Sequence, residues 1–358
     1  MVLPGKKSLF SRMIRMIAAR FFCRLLIYKT DQVLVRKGGR GVLPVSEALK
    51  KRLRTLNREL REMYPPAEFR VETLRQRLDG VGTFFSVDKW SEQELQSWLG
   101  EGLLIGVDGS VNSTSGAHPH TLSVFQALAK GTRGQEHWEA EVYTPLLEPE
   151  EETGGGAARE ARRRGTILSG LELRAALEAV RRWSPRVVMM DGSLRHFMLD
   201  DARGWNALKA AAEQAGVLLV GVSEEIGTRG LVRELFPDRP TWSDRDILYG
   251  VLRPGEAYAW EGWNASDAGL WKVVIRSSGS PQPVGIDGLL SQQEHRGDLI
   301  RLCRTLTPES GRGIPLWLDI VDAEVRVTDP LVEAMVEEYL DPDLLHRLLV
   351  PKRSERHL

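Results

Sequence analysis

Cysteine is nearly absent from the chain: Cys23 and Cys303 are the only two among 358 residues. They lie far apart and in no Cys-x-x-Cys or Cys/His grouping. Neither a disulfide framework nor a zinc ribbon is expected, and a reducing cytoplasm is the default setting. Long apolar runs are missing as well. The most apolar early stretch, residues 8–28, is interrupted by Arg12, Arg15, Arg20 and Arg24. That is too much charge for a membrane span or for the middle of a signal peptide. Net charge is also absent, since 49 Lys and Arg balance 49 Asp and Glu, which excludes a uniformly basic nucleic-acid coat protein. No Gly-x-x-x-x-Gly-Lys-Ser/Thr phosphate loop and no Gly-x-Ser-x-Gly nucleophile elbow occurs. The seven histidines are scattered. His118-Pro119-His120, in polar surroundings, reads as a surface loop rather than a ligand pair.

What remains is an ordinary globular composition, 42% apolar and 27% charged, in a chain long enough to fold without staples. The balanced charge is unevenly distributed. Residues 1–62 carry sixteen Lys and Arg against Asp31, Glu47, Glu59 and Glu62, which is +12, and the rest of the chain offsets it with −12. A basic arm on an acidic body suggests an anionic partner for the arm, or a solvated helical face that docks on its own acidic body. Phe10, Met13, Ile14, Ile17, Phe21 and Leu25 recur at helical spacing, so residues 8–28 are expected to form an amphipathic helix that packs on protein. The organisation expected is a basic helical region over residues 1–100 and an α/β domain over 101–358.

Within the second region the pattern reads strand, strand, strand, helix, strand, helix, strand. Apolar runs at 103–107, 121–128 and 137–146 form a meander. Residues 148–165 read as a mobile Gly-rich loop, and 166–183 as a helix. Buried strands follow at 187–190 and 217–222 around a helix at 205–215, which implies parallel pairing. Further on, 244–252 reads as a helix, 270–276 as a strand and 288–306 as one long helix.

The strongest local signal is a repeated tripeptide. Asp108-Gly109-Ser110 and Asp191-Gly192-Ser193 each follow a buried strand. One such tripeptide is ordinary turn chemistry. Two of them, on strands that should be neighbours about 4.8 Å apart, would set two carboxylates side by side. Such a pair repels itself unless a cation intervenes, and oxygen ligands suit Mg²⁺ or Mn²⁺. In each case the glycine is expected to turn the backbone away and expose the acid. The intervening helix offers Glu172 at the edge of its apolar face, and Glu178 as a solvated partner for Arg174 or Arg181. Glu172 is the expected third ligand. Among ten tryptophans, Trp242, Trp260, Trp263 and Trp271 could stack on bases, although core packing is the commoner use.

This chain order resembles the ribonuclease H-like fold, a mixed sheet core flanked by helices, here with an N-terminal helical arm. Within it the sequence is similar to the NurA nucleases. That resemblance rests on both Asp-Gly-Ser motifs, on Asp191-Gly192-Ser193-Leu194, on Val220-Gly221-Val222-Ser223, and on the segment Gly313-Ile314-Pro315-Leu316-Trp317-Leu318-Asp319-Ile320-Val321-Asp322. The resemblance implies a two-metal site of Asp108, Glu172, Asp191 and Asp322, with Mn²⁺ preferred over Mg²⁺. It also implies 5′-to-3′ exonuclease and single-strand endonuclease action on DNA, a homodimer, and a hexameric HerA-type ATPase as partner at broken ends. The chain departs from the family at two places. Glu224 stands where a Lys usually follows Val-Ser, and Ile314 replaces a Tyr. Those departures favour the alternative of a non-catalytic adaptor subunit. The carboxylates alone do not read the sugar, so an RNA-directed enzyme stays open. Asp322 also has a plainer role available, as an ion-pair partner of Arg326 four residues on.

Overall fold

The computed structural model describes residues 46–147, 156–264 and 269–349. The amphipathic stretch expected at 8–28 lies outside them. The chain divides into two compact units at Pro65 and Pro66. In the first, α1 (Glu47–Met63) is capped by Ser46, whose side chain accepts from the Leu49 N–H.

The second unit begins with α2 (Val71–Asp79), β1 (Thr83–Ser86) and α3 (Glu92–Leu99). Ser91 and Glu94 close a reciprocal capping box at the start of α3, as the sequence spacing predicts. Next come β2 (Leu104–Ser113), β3 (Ser123–Gly131), β4 (Glu136–Tyr143), α4 (Gly156–Trp183) and β5 (Val187–Asp191). They are followed by α5 (Leu194–Asp200), α6 (Ala202–Ala215), β6 (Leu218–Ser223), α7 (Gly230–Leu235), α8 (Asp244–Leu248), β7 (Glu256–Ala259), β8 (Leu270–Ile275) and β9 (Val284–Leu289). Then α9 (Arg296–Leu306), α10 (Leu316–Val325) and α11 (Asp329–Tyr339) close the fold.

One nine-stranded sheet runs β1-β7-β8-β9-β6-β5-β2-β3-β4. Its centre is the ribonuclease H-like core expected from chain order. β2, β3 and β4 are antiparallel, while β5 lies parallel to β2 and β6 parallel to β5. One face is covered by α4 and α6. The small residues Ala175, Ala176 and Ala179 bring α4 close to Ile105, Val107, Val188 and Met190 in a continuous core. The other face of β2 and β3 is covered by α10, where Val321 and Val325 pack with Leu128. The Trp317 indole N–H donates to the Lys130 carbonyl, 3.1 Å away.

Three expectations are corrected. The loop expected over 148–165 is helical from Gly156 onward, because Ala161 and Arg162–Arg164 are strong helix formers that continue α4. The long helix expected at 288–306 starts instead as strand β9, then passes through a short 3-10 stretch into α9. Residues 284–289 are all buried, because β6 and β8 flank them and claim their backbone. The first Asp-Gly-Ser does not end its strand: β2 continues to Ser113, paired with β3 throughout. No described helix is long and apolar enough to cross a membrane.

Candidate active site

The parallel register sets Val107 beside Met190, so Asp108 and Asp191 come next on adjacent strands. Residues before each acid alternate between the two faces, and both acids fall on the face covered by α10. Asp108 is buried. Burial first, and then the charge of Asp191, push its carboxyl up to about 8, with the Gly109 N–H opposing the rise. That N–H donates to Asp108 Oδ1 at 2.7 Å. Asp191 is pushed up to about 6, again by burial first. The Arg312 guanidinium pulls it down, while Asp322, Asp319 and Glu224 raise it.

Glu172 reaches the same part of the sheet from α4. It is buried, and its carboxyl lies well above the usual range because of burial, then the charges of Asp108 and Asp191. Gly109 makes its approach possible. A Cβ at that position would stand 2.8 Å from Glu172 Oε1 and 2.7 Å from Leu168 Cδ1. Glu178 points away from the site and pairs with Arg182 at 3.0 Å, rather than with Arg174 or Arg181.

Asp322 on α10 is the outer member. Its side chain is 34% exposed and pairs with Arg326 at 2.5 Å, the plainer role anticipated for it. Its charge nevertheless raises the carboxyls of both Asp108 and Asp191. The structure thus brings Asp108, Glu172 and Asp191 into one electrostatic cluster with Asp322 at its rim.

Sequence reasoning missed the cation in this cluster. Arg312 spans Glu224 (2.6 Å) and Asp319 (2.9 Å), and its charge opposes the raised carboxyls of Asp108 and Asp191. Its position two residues before the apolar run that begins at Ile314 was the available signal. Glu224, the residue that departs from the family pattern, is held as its counter-ion. Also missed was Asp287, buried in β9. It accepts from Ser193 Oγ and from the Leu194 N–H, the latter at 3.0 Å. An acid inside the apolar run Val284–Leu289 was the only hint. Asp287 anchors the second Asp-Gly-Ser, whereas Ser110 of the first accepts from the Val327 N–H at 2.9 Å, just past α10.

His118 pairs with Glu160 at 3.0 Å and His120 contacts the Leu348 carbonyl, so both lie in a surface loop away from the acids. Trp242, Trp263 and Trp271 are core residues: Trp242 packs on Phe69 and Phe236, Trp263 on Tyr258, and Trp271 against Gly288. The base-stacking use therefore does not apply to these three.

Among the described residues, no group of three or more His, Cys, Asp or Glu is closed up into a ready-made ion site. The donor set still fits a hard divalent cation. It is all oxygen, it is buried, and its mutual repulsion is relieved only by Arg312 and the Gly109 N–H.

Several solved structures are similar, all at low identity. The catalytic domain of human Endonuclease V shares 14% identity over 82% of this chain and 98% of its own, with a TM-score of 0.35. Endonuclease V from Ciona intestinalis, in complex with a 24mer DNA containing an inosine, shares 11% over 77% and 98%, at 0.30. Argonaute from Aquifex aeolicus shares 12% over 62% of this chain and 27% of its own, at 0.28. No curated protein sequence matches the chain. The NurA domain, in contrast, matches residues 102–327, which includes every acid of the cluster and both Asp-Gly-Ser motifs. With well over half of its length accounted for in this way, the chain belongs to the NurA family of nucleases.

Proposed function

We propose that the protein is a divalent-metal-dependent deoxyribonuclease whose ligands are Asp108, Glu172, Asp191 and Asp322. The observation that carries this reading is the clustering of Asp108, Glu172 and Asp191, two of them side by side on adjacent strands and all raised above normal carboxyl ranges by burial and neighbouring charge. Protein of this kind stores repulsion that a cation relieves. Bound Mn²⁺ or Mg²⁺ would supply charge neutralisation and water activation for phosphodiester hydrolysis. The chain's own part is to hold the acids apart from solvent, with the Gly109 N–H and Arg312 tempering their charge until the cation binds.

The finer assignment follows the family. The protein acts from the 5′ end and on single strands of DNA, works as a homodimer, and serves a hexameric HerA-type ATPase at broken DNA ends. The test is cleavage of a labelled single-stranded oligonucleotide by the purified full chain. Cleavage with Mn²⁺ that stops with EDTA supports the reading. No cleavage with any divalent cation sinks it in favour of the adaptor role, which the Arg312–Glu224 pair at the site supports. Asp322→Asn separates ligand from surface partner: a ligand's loss raises the Mn²⁺ needed for half-maximal cleavage, and a partner's loss leaves that titration unchanged.

A further inference from the structure

Beside the second Asp-Gly-Ser, on the opposite face of the sheet from α10, lies a cavity of about 270 Å³. Its polar lining includes Ser193, Arg195, Thr228, Arg229, Lys272 and Asp287. The side chains of Arg195, Arg229 and Lys272 make no ion pair or hydrogen bond among the described residues. The one acid in the lining, Asp287, already accepts from Ser193 and Leu194. Burial raises the Asp287 carboxyl and the Lys272 charge lowers it, and Arg195 and Arg229, both exposed, leave the lining with cations in excess of acids.

The position of Lys272 is set by the sheet. Lys272 on β8 lies opposite Asp287 on β9, which lies opposite Gly221 on β6, so the three share a face. Gly285, two residues before Asp287, carries no side chain. A Cβ there would meet Lys272 Nζ at 3.4 Å and Ser223 Oγ at 2.4 Å. The lysine stem thus lies over Gly285 and carries its ammonium toward the end of β6. There Ser223 follows Val222, the residue paired with Asp191. Strand β9 is two places from β5, roughly 10 Å, so these cations stand near the same sheet edge as the acid cluster, on the face opposite Asp108 and Asp191.

Cations in excess of acids around a small cavity fit a phosphate. We infer that this cavity takes a backbone phosphate of the substrate strand flanking the one cut, gripped by Lys272 and Arg229 with Arg195 at the rim. The inference rests on the nuclease reading for its substrate, but it is tested by binding alone. The measurement is fluorescence anisotropy of the full chain with a labelled oligothymidylate in EDTA, as a function of salt. Lys272→Ala and Arg229→Ser should each weaken binding by several-fold, and make the plot of log affinity against log salt shallower by about 0.7 per lost phosphate contact. Lys272→Arg should restore both. Arg133→Ser, at the other end of the sheet, should change neither. Wild-type affinity and slope in Lys272→Ala and Arg229→Ser overturn the inference, as does an equal loss in Arg133→Ser. Absence of cleavage by the wild type overturns the catalytic reading without touching these binding outcomes.

Discussion

The two Asp-Gly-Ser tripeptides are identical in sequence and opposite in use. The first lies inside a strand: β2 runs through it to Ser113 in unbroken pairing with β3. Gly109 there serves by lacking a side chain, which lets Glu172 and Leu168 close on the backbone. The second ends its strand, and Gly192 takes φ 134°, a conformation that other residues rarely adopt. The serines differ as well. Ser110 receives an N–H from the chain leaving α10, while Ser193 donates to the buried Asp287. One tripeptide makes room and the other makes a turn, yet both deliver an aspartate to the same edge. The lesson is that a motif specifies the carboxylate, and its partners decide what the following two residues do.

Replacing the acids tests what the motifs share. Asp108→Asn and Asp191→Asn should each lower Mn²⁺-dependent cleavage by a factor on the order of 10³. Metal-free melting temperatures should hold or rise, because a repulsive charge has been removed. A variant that cleaves near the wild-type rate breaks the equivalence of the two acids.

The glycines test what the motifs do not share. Gly109→Ala forces a Cβ against Glu172 and Leu168, at an overpacking cost of about 1–3 kcal/mol, and should displace Glu172 and depress cleavage strongly. Gly192→Ala meets nothing nearer than Phe197 at 3.4 Å, so its cost is backbone strain of about 1–3 kcal/mol, read as a lower melting temperature with a smaller loss of cleavage. Equal activity losses at equal stability would contradict the distinction.

The serines differ in stability. Ser193→Ala deprives buried Asp287 of a donor and should cost about 1–3 kcal/mol in urea unfolding. Ser110→Ala, which releases one partly buried backbone N–H, should cost only about 0.5–1.5 kcal/mol. The reverse order would mean that Asp287 is not the anchor of the second motif.

The smallest effect is on pH. In the folded chain Asp108 and Asp191 are raised to about 8 and about 6, above the range of an unfolded aspartate. The folded state therefore holds protons that the unfolded state has released, and stability falls as pH rises through that window. The metal-free melting temperature should increase as pH is lowered from about 8 to about 5, and Asp108→Asn should flatten the rise. A flat profile in the wild type would mean that the acids are less buried than described.

Much of this site could be read locally. Apolar runs ending in Asp-Gly-Ser identified both strands and both acids, and helical spacing put Glu172 at the margin of an apolar face, because such periodicities lie within a few residues of one another. Other features join residues far apart in the chain. Arg312 meets Glu224 across 88 positions and Ser193 meets Asp287 across 94. Neither pair leaves a trace in any short window. The same holds for β9. Its apolar residues run into a helical pattern, and only the open edges of β6 and β8 assign them to a strand. Local composition chose the acids and the elements that carry them. Burial between distant elements chose which face each acid takes, which cation tempers it and which glycine must stay bare, because those outcomes depend on contacts that exist only once the sheet has formed.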